Sequence, residues 1–305
     1  MALTLALAIA IDQCFGEWPS RAHPVVWIGK VATWLERLGP QRGDRARLIY
    51  GTFLALGLPF AAASLSFLAL RALSPWPWLE LLLGVFLLKS TLALRALGRA
   101  AGTVSDPLRA SDLELARSGL RNLCSRDAAD LTASELAGAT IESVAENTSD
   151  SLVAPVFYAA CFGIPGAVFY RTVNTLDAMF GYRDPTHEYL GKASARLDDL
   201  LNWVPARLTA VVLLIAGAVR GAAVRAGWRV LLSDGPKTAS PNAGRPMAAM
   251  AGLLGIELEK RGEYLLGAPG AAPTPSSIDD AWKIARLGAI GFALLVCLSL
   301  GLTHA

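Results

Sequence analysis

Long apolar segments are the feature that most limits how this 305-residue chain can fold. The hydrocarbon core of a bilayer is about 30 Å thick, and a helix needs about 20 mostly apolar residues to cross it. Charged residues make up only 17% of the chain, against the roughly one quarter that is typical of soluble domains. We therefore predict an all-α, polytopic helical membrane protein with about 4–6 membrane-embedded segments and long helical loops, forming a single integral membrane domain over residues 1–305. The candidate segments are 3–11, 48–70, 78–97, 152–170, 204–219 and 284–302.

The segment 152–170 differs from the others because Pro155, Gly163 and Pro165 interrupt its helical pattern. Irregular backbone at membrane depth survives only where protein or a water-filled cavity covers it. This favours a segment that re-enters the membrane or is covered by protein. A full crossing stays open from the sequence.

The stretch RALSPWPW at 71–78 predicts a tight connection between the segments 48–70 and 78–97, with tryptophans suited to the membrane interface. Six basic residues precede this pair of segments, and the positive-inside rule therefore places residues 12–47 and 98–150 in the cytoplasm. They are Arg21, Lys30, Arg37, Arg42, Arg45 and Arg47. We predict a multi-pass protein of the cell (inner) membrane with a site that faces the cytoplasm.

The sequence argues against several common function classes. The formal net charge is +3 and no block of basic residues occurs, so a nucleic-acid partner is not expected. The four cysteines are scattered and lack the spacing of a zinc site or a disulfide framework. No Walker A, HExxH, GxSxG or GxGxxG pattern is present, which removes the commonest nucleotide-binding, protease, hydrolase and dinucleotide-binding classes.

Three acids in the stretch ESVAENTSD, at 142–150, have the spacing of one helical face. Glu142, Glu146 and Asp150 are four residues apart, and Asn147 lies beside them. Like charges on one face repel, whereas Mg²⁺ takes carboxylate and amide oxygens as ligands. The stretch leads directly into segment 152–170, and ionisable groups near membrane depth usually face a pocket. We predict a Mg²⁺ site here; a solvated acidic face is the alternative.

The next polar motif is YRTVNTLDAMFGYR at 170–183, in which Arg171, Asn174 and Asp177 recur every three residues. An arginine suits a phosphate or a carboxylate because its planar guanidinium can donate two parallel hydrogen bonds. The motif therefore predicts an anion-binding stripe. A structural Arg–Asp pair that holds two helices together is the alternative.

A second acidic motif is ARLDDLLNWVP, at 195–205, where Arg196 and Asp199 are three residues apart and Asp198 is adjacent. The helix is expected to end before Pro205. Two interpretations stay open: a second metal site, or a helix end with a salt bridge.

Two further residues are candidates because of where they lie. Lys89 is well inside segment 78–97, where a cation costs roughly 2.5–3.5 kcal/mol on insertion scales. It therefore needs a partner, either a bound phosphate or an acid. His23 lies in a Gly/Pro-rich turn near Asp12 and Glu17, and it is a candidate base or a structural hydrogen-bond partner.

The last motif is the turn SPNAGRPM at 240–247, which precedes a predicted helix. Backbone N–H groups at the start of a helix favour anions, so Asn242 and Arg245 are candidates for binding a phosphate. An ordinary helix cap and turn is the alternative.

Taken together, the motifs resemble the cobinamide-phosphate synthase family of cobalamin (vitamin B12) biosynthesis. The matching stretches, in family order, are DQCFGEWPSRAHPVVWIG, LKSTLALRAL, the long run from IESVAENTSD to NTLDAMFGYR, ARLDDLLNWVPARLT and SPNAGRPMAAMAGLLGIELEKRGEYLLG. The resemblance implies an integral membrane ligase that joins adenosylcobyric acid, a corrinoid, to (R)-1-aminopropan-2-ol or its O-phosphate by an amide bond. It also implies ATP as a co-substrate and Mg²⁺ as the metal ion.

With that chemistry, each candidate residue receives an expected role. The expected Mg²⁺ ligands are Glu142, Glu146, Asn147 and Asp150. The residues expected to hold substrate or phosphate are Lys89, Arg171, Asn174, Arg196, Asn242 and Arg245. A second metal ligand or a base for the incoming ammonium is expected among Asp177, Asp198 and Asp199, with His23 as a further candidate base.

The resemblance also bears on partners and on rival functions. Expected partners are the corrinoid, the aminopropanol or its phosphate, and the lipid bilayer, while a homo-oligomer and contact with neighbouring enzymes of the pathway are both left open. Two rival functions are a non-enzymatic membrane sensor or regulator and a transporter. The transporter is disfavoured because no inverted repeat is visible in the sequence.

Overall fold

The computed structural model describes residues 1–182, 184 and 187–302, and most of these are helical. The helices are α1 (Ala2–Phe15), α2 (Pro24–Leu38), α3 (Asp44–Leu73), α4 (Pro77–Thr91), α5 (Leu94–Arg109), α6 (Leu113–Leu120), α7 (Ala133–Thr148), α8 (Ala154–Phe180), α9 (Lys192–Leu201), α10 (Trp203–Val219), α11 (Val224–Asp234), α12 (Gly244–Leu254) and α13 (Pro275–Leu302). A 3₁₀ turn covers Ser20–Ala22, a π-helical turn covers Ser149–Val153, and two strands are β1 (Leu258–Lys260) and β2 (Tyr264–Leu266).

The prediction of a helical membrane protein is confirmed. Four helical stretches are long and apolar enough to cross a membrane, and α9 with α10, which meet at 47°, form a fifth if they count as one broken span. The four stretches are Asp44–Leu73, Pro77–Arg109, Ala133–Phe180 and Pro275–Leu302. The predicted segment 3–11 lies in α1, which is apolar but only 14 residues long.

The predicted segment 78–97 is not one helix, because the backbone breaks between α4 and α5. Leu92 is extended, with φ −99° and ψ 141°, and the amino group of Lys89 donates to its carbonyl oxygen at 3.4 Å. The predicted tight connection at 71–78 is observed, since α3 ends at Leu73 and α4 begins at Pro77.

The predicted interruption of segment 152–170 is also observed. A π-helical turn, Ser149–Val153, precedes α8, and α8 itself is broken at Gly163, with φ 72° and ψ −171°. This backbone region is essentially reserved for glycine, because a Cβ there meets the neighbouring carbonyl oxygens. The proline two residues later, Pro165, fits the start of a new helical turn.

The small hairpin of β1 and β2 was not predicted from the sequence. The strands are antiparallel and pair Leu258 with Leu266 and Lys260 with Tyr264. Leu258 and Leu266 are buried while Glu259 and Leu265 are exposed, which is the two-residue alternation of a strand with one covered face.

The chain folds into two compact units, each built from separate stretches of sequence. Unit 1 comprises Met1–Ala93, Ala154–Asn202 and the chain from Leu294 onwards. Helix α8 is central to it, because α2, α3, α4 and α9 all pack against α8, and α1 packs against α4. One apolar cluster of this unit joins Ala32, Leu54, Leu176 and Phe180.

Unit 2 comprises Leu94–Val153 and Trp203–Ala293, and α12 is its central helix. Helices α7, α10 and α11 pack against α12, whose residues from Pro246 to Leu253 are all buried. A Cβ on Gly252 would lie 2.7 Å from the carbonyl oxygen of Ala226 and from the Cα of Gly227. Small residues therefore allow the α11 and α12 backbones to approach closely.

We expect Gly163→Ala to lower the free energy of unfolding by about 1–3 kcal/mol, since alanine is strained in this backbone conformation. Space is not the cause, because the nearest side-chain atoms would lie 3.6 and 3.9 Å from the new Cβ. Gly57→Ala is the matched control: Gly57 lies inside α3 with open space around it, and alanine favours helices. Thermal unfolding in detergent should separate the variants; equal effects would contradict the strain.

Candidate functional site

A chain of hydrogen-bonded polar side chains joins α8 to α9 in unit 1. Arg171 Nη1 donates to Asn174 Oδ1 at 3.2 Å, and Asn174 Nδ2 donates to Asp198 Oδ1 at 3.4 Å. Asn202 Nδ2 donates to the other oxygen of Asp198 at 3.0 Å, and the hydroxyl of Tyr170 donates to Asn202 Oδ1 at 2.9 Å. We call these five residues the α8–α9 cluster.

Helix spacing explains why these five side chains meet. Arg171 and Asn174 are three residues apart on α8, and Asp198 and Asn202 are four residues apart at the end of α9. Three of the predicted residues, Arg171, Asn174 and Asp198, are thus brought together. The arrangement links a carboxylate held by two amides to a guanidinium through Asn174. Such a pair of charged groups can bind a substrate with both acidic and cationic groups.

Two aromatic residues support the cluster and were not predicted. Tyr170 has no exposed surface, and Tyr158 stacks on it with ring centroids 5.1 Å apart and planes 11° apart. The hydroxyl of Tyr158 donates to the carbonyl oxygen of Leu201 at 2.8 Å. Asn202 could have been found from its spacing to Asp198, but the two tyrosines lie in an apolar run and carry no signal in the sequence.

The other predicted residues of α8 and α9 differ in exposure. Asp177 lies on α8 about two turns from Arg171 and is half-buried. Arg196 is exposed, and its Nη1 lies 4.0 Å from Asp199 Oδ2. A solvent-exposed pair of this kind contributes roughly 0–1 kcal/mol, so this contact agrees with the structural alternative for the ARLDD motif.

A buried charge network surrounds Lys89, also in unit 1. Lys89 and Asp12 have fully buried side chains, with Nζ 3.4 Å from Asp12 Oδ1 and 3.3 Å from Glu17 Oε2. The ammonium also lies 5.9 Å from the centre of the Trp18 ring, within the range of a cation–π contact. The partner that the sequence required for Lys89 is therefore supplied by two acids of the N-terminal region.

His23 belongs to the same network and caps α2. Its Nδ1 accepts a hydrogen bond from the backbone N–H of Val25 at 3.2 Å, so the ring proton lies on Nε2, which is 2.6 Å from Glu17 Oε2. Burial alone would raise the pKa of Glu17, but the hydrogen bond with His23 and the charge of Lys89 outweigh it and lower this pKa below its ordinary value. These contacts agree with the structural alternative for His23.

In unit 2, Glu142 is buried and ion-paired. Its Oε2 accepts a hydrogen bond from Arg126 Nη2 at 2.6 Å, and only 4% of the residue is exposed. Burial alone would lower the pKa of Arg126, but the neighbouring Glu142 carboxylate raises it above the ordinary value. Burial, together with the Glu142 charge, raises the pKa of Tyr264, whose hydroxyl therefore stays protonated and can donate.

The rest of the predicted acidic face is half-buried. Asn147 Nδ2 donates to the carbonyl oxygen of Ser143 at 3.0 Å. Glu146 lies in α7, but Asp150 lies in the π-helical turn, so the rotation between them differs from that of the continuous α-helix assumed from the sequence. The neighbouring hydroxyl of Ser149 is buried and has no hydrogen-bond partner among the described residues.

The fit of these residues to Mg²⁺ depends on the source of the remaining ligands. Within 1–182, 184 and 187–302, no group of three or more His, Cys, Asp or Glu side chains has the geometry to hold a metal ion. Mg²⁺ is, however, usually held by one or two carboxylates together with water and substrate phosphates. The donor types of Glu146, Asn147 and Asp150 and the orphaned hydroxyl of Ser149 fit such a site when the phosphates come from a substrate.

The predicted turn at 240–247 also lies in unit 2. Asn242 is buried, and its Oδ1 accepts from Nη1 of Arg207 at 3.3 Å. Arg245 is half-buried in the first turn of α12. Arg207 was not among the predicted residues, because its position near the start of the apolar segment 204–219 is typical of an interfacial anchor.

Comparison with known proteins gives one consistent result. A model of the CobD/Cbib protein family matches residues 5–287. The chain is 40% identical over 291 residues to the probable cobalamin biosynthesis protein CobD of Methanothermobacter thermautotrophicus, covering 95% of both chains. It is 38% identical to the cobalamin biosynthesis protein CobD of Dehalococcoides mccartyi, covering 95% of this chain and 98% of that one. It is 40% identical to the CobD protein of Chromobacterium violaceum, covering 98% and 96%. No solved structure matches.

We expect Lys89→Met to lower the free energy of unfolding by about 3–5 kcal/mol, because it leaves Asp12 without its buried countercharge. Adding Asp12→Asn should restore part of the loss, since the uncompensated charge is then removed. Lys30→Met, at an exposed position of α2, is the control and should change stability little. Chemical unfolding in detergent compares these variants with the parent; a Lys89→Met variant as stable as the parent would contradict the network.

Proposed function

Because the chain belongs to the CobD/Cbib protein family and has a role in cobalamin biosynthesis, we propose that it is a membrane ligase. The proposed reaction joins a carboxylate of adenosylcobyric acid to the amine of (R)-1-aminopropan-2-ol O-phosphate, or of aminopropanol itself. The product is adenosylcobinamide phosphate or adenosylcobinamide. ATP is the proposed co-substrate.

Amide formation from a carboxylate requires that one oxygen become a leaving group. In the proposed sequence, a carboxylate oxygen of the corrinoid attacks the γ-phosphorus of ATP, and ADP leaves with the electron pair of the broken bond. The amine then attacks the activated carbonyl carbon, the C–N bond forms, and inorganic phosphate departs. The ammonium must lose protons to become the attacking amine and the final amide, so a base is needed close to it.

The single observation that supports a reacting site in unit 1 is the α8–α9 cluster. Asp198 has both carboxylate oxygens in hydrogen bonds with amides, which hold it in one orientation, and one of these amides, Asn174, also accepts a hydrogen bond from Arg171. We propose that Asp198 accepts the ammonium proton and that Arg171 binds a phosphate or carboxylate of a substrate. Asp177 and Asp199 are second candidates for the base. Lys89 and His23 are assigned to holding the N-terminal region, because their contacts are already with acids.

We propose Glu146, Asn147 and Asp150 as the residues that hold Mg²⁺, with Glu142 held beside them by Arg126. Bound Mg²⁺ would supply charge neutralisation for the phosphate groups during transfer. The protein's own contribution is to fix the acids in a half-buried position, where electrostatic interactions are stronger than in water. We propose in addition that the protein lies in the cell membrane and that its site faces the cytoplasm. A homo-oligomer and contact with neighbouring enzymes of the pathway both remain part of this proposal.

We expect Glu146→Gln to lower the ligation rate at least tenfold and to raise the Mg²⁺ concentration needed for half-maximal activity. The amide keeps the shape of the side chain but removes the charge that attracts the cation. Glu114→Gln is the matched control, because Glu114 is exposed in α6 and pairs with Arg117. Ligation by purified protein in detergent is the measurement; full activity of Glu146→Gln would remove the metal assignment.

We expect Asp198→Asn to lower kcat by about 10²–10⁴-fold, the range that general-base catalysis supplies, while substrate binding changes less. Glu188→Gln is a control in the same unit, because Glu188 is partly exposed and pairs loosely with Lys192 at 3.8 Å. A kcat equal to that of the parent would contradict this role of Asp198 and would leave Asp177 or Asp199 as the candidate base.

The whole proposal is tested by complementation. The chain should restore adenosylcobinamide formation in a cell that lacks this step, and proteoliposomes should consume ATP only when the corrinoid and the amine are both present. A sensor or regulator would restore neither, and a carrier would move the corrinoid without forming an amide.

A further inference from the structure

Two arginines come together in unit 2 without an acidic partner. Arg207 is in the first turns of α10 and Arg245 is in the first turn of α12. Both contact Asn242, because Arg207 Nη1 donates to its Oδ1 at 3.3 Å and the backbone N–H of Arg245 donates to its carbonyl oxygen at 3.0 Å. Among the residues that the structure describes, neither forms an ion pair with Asp or Glu. Other half-buried arginines of the unit do, such as Arg117 with Glu114 and Arg126 with Glu142.

The guanidinium of Arg207 is held in a defined position. It lies 4.1 Å from the centre of the Trp203 ring, and its Nη1 donates to the Trp203 carbonyl oxygen at 2.6 Å and to Asn242 Oδ1 at 3.3 Å. In Arg245 the Nε atom is buried and has no hydrogen-bond partner among the described residues. Two like charges in a half-buried place are unfavourable unless an anion lies between or beside them.

The surrounding loop does not supply that anion. The acid at the start of the loop, Asp234, is neutralised by Lys237 at 2.6 Å and accepts a hydrogen bond from the backbone N–H of Gly267 at 2.8 Å. Its contacts therefore lie with Lys237 and Gly267. A ligand could satisfy the two guanidinium groups instead.

The backbone at the start of α12 is already hydrogen-bonded within the loop. The N–H of Ala243 donates to Ser240 Oγ at 3.4 Å, and the N–H of Gly244 donates to Thr238 Oγ1 at 3.1 Å. The N–H of Arg245 donates to the carbonyl oxygen of Asn242 at 3.0 Å. These N–H groups are therefore not available to bind an anion, contrary to what the sequence suggests. The side chains of Arg207 and Arg245 are the groups that can bind one.

We propose that Arg207 and Arg245, with Asn242 orienting Arg207, form a binding site for the phosphate monoester group of a small, water-soluble substrate. Two guanidinium groups can each give a pair of parallel hydrogen bonds, which suits a phosphate dianion better than a single carboxylate. The identification of that substrate as the phosphorylated amine rests on the proposed function. The phosphate chemistry itself rests on the two arginines alone.

Direct binding to the purified, delipidated protein in detergent tests the site. The probes are (R)-1-aminopropan-2-ol O-phosphate and the unphosphorylated aminopropanol, with isothermal titration calorimetry as the readout. We expect the phosphate ester to bind at least tenfold more tightly than aminopropanol, and Arg207→Gln and Arg245→Gln each to remove most of this difference. Arg229→Gln, at an exposed position of α11, is the matched control and should keep the preference.

Arg207→Lys and Arg245→Lys are a second pair of variants, for use if the glutamine variants do not fold. They keep the positive charge and remove only the planar pair of hydrogen-bond donors. Intermediate affinity in a variant that still elutes as folded protein supports the site, and affinity equal to that of the parent contradicts it. A preference for the phosphate ester that persists in both glutamine variants overturns the proposal.

A lipid headgroup carries the same chemistry, and Trp203 with Arg207 at the start of an apolar helix suits a membrane interface. Nanodiscs with and without phosphatidic acid, a lipid that carries a phosphate monoester, separate the two sources. The substrate assignment would be overturned if this lipid stabilised the protein against heat in a way that depends on both arginines while the soluble ester did not bind. Ester binding in a protein that never forms an amide would instead leave this site in place and refute the ligase function.

Discussion

Lys89 has no exposed surface, and its ammonium lies between the carboxylates of Asp12 and Glu17. A charge inside an apolar helix is costly unless an opposite charge neutralises it there. The chain must therefore place these two acids next to α4. The ion pairs with Lys89 therefore fix the position of the end of α1 and of the turn that leads to α2. In that turn, His23 caps α2 and forms a hydrogen bond with Glu17. The same requirement recurs in unit 2, where Arg126 neutralises the buried Glu142.

Polar residues within apolar helices therefore have two kinds of environment in this protein. In one kind, charges pair with each other and hold segments together, as around Lys89 and Glu142. In the other, a polar side chain is held in position while part of its binding capacity points towards a ligand, as we propose for Arg171 and for Arg207 with Arg245. Among the described residues, the contacts separate Lys89 and Glu142, whose charges are paired within the protein, from Arg207 and Arg245, which form no ion pair with Asp or Glu.

The sequence predicted much of the fold, since length and hydropathy alone determine which segments can cross a bilayer. The break of segment 152–170 followed from Gly163 and Pro165. The break at Leu92 could not be predicted, because no Gly or Pro marks that position. At the candidate site, spacing brought Arg171, Asn174 and Asp198 into consideration. Tyr158, Tyr170 and Arg207 could not be found in this way, because their roles depend on hydrogen bonds to residues more than 30 positions away in the chain.

The close approach of α11 and α12 constrains which substitutions this chain can accept. A side chain at position 252 would collide with the backbone at Ala226 and Gly227, not with a flexible group that could move aside. Enlarging position 252 would therefore require the two helices to separate, which would also disturb the buried alanines along α12. A larger residue at this contact is thus compatible with the fold only together with a change in the facing helix that lets the two backbones move apart.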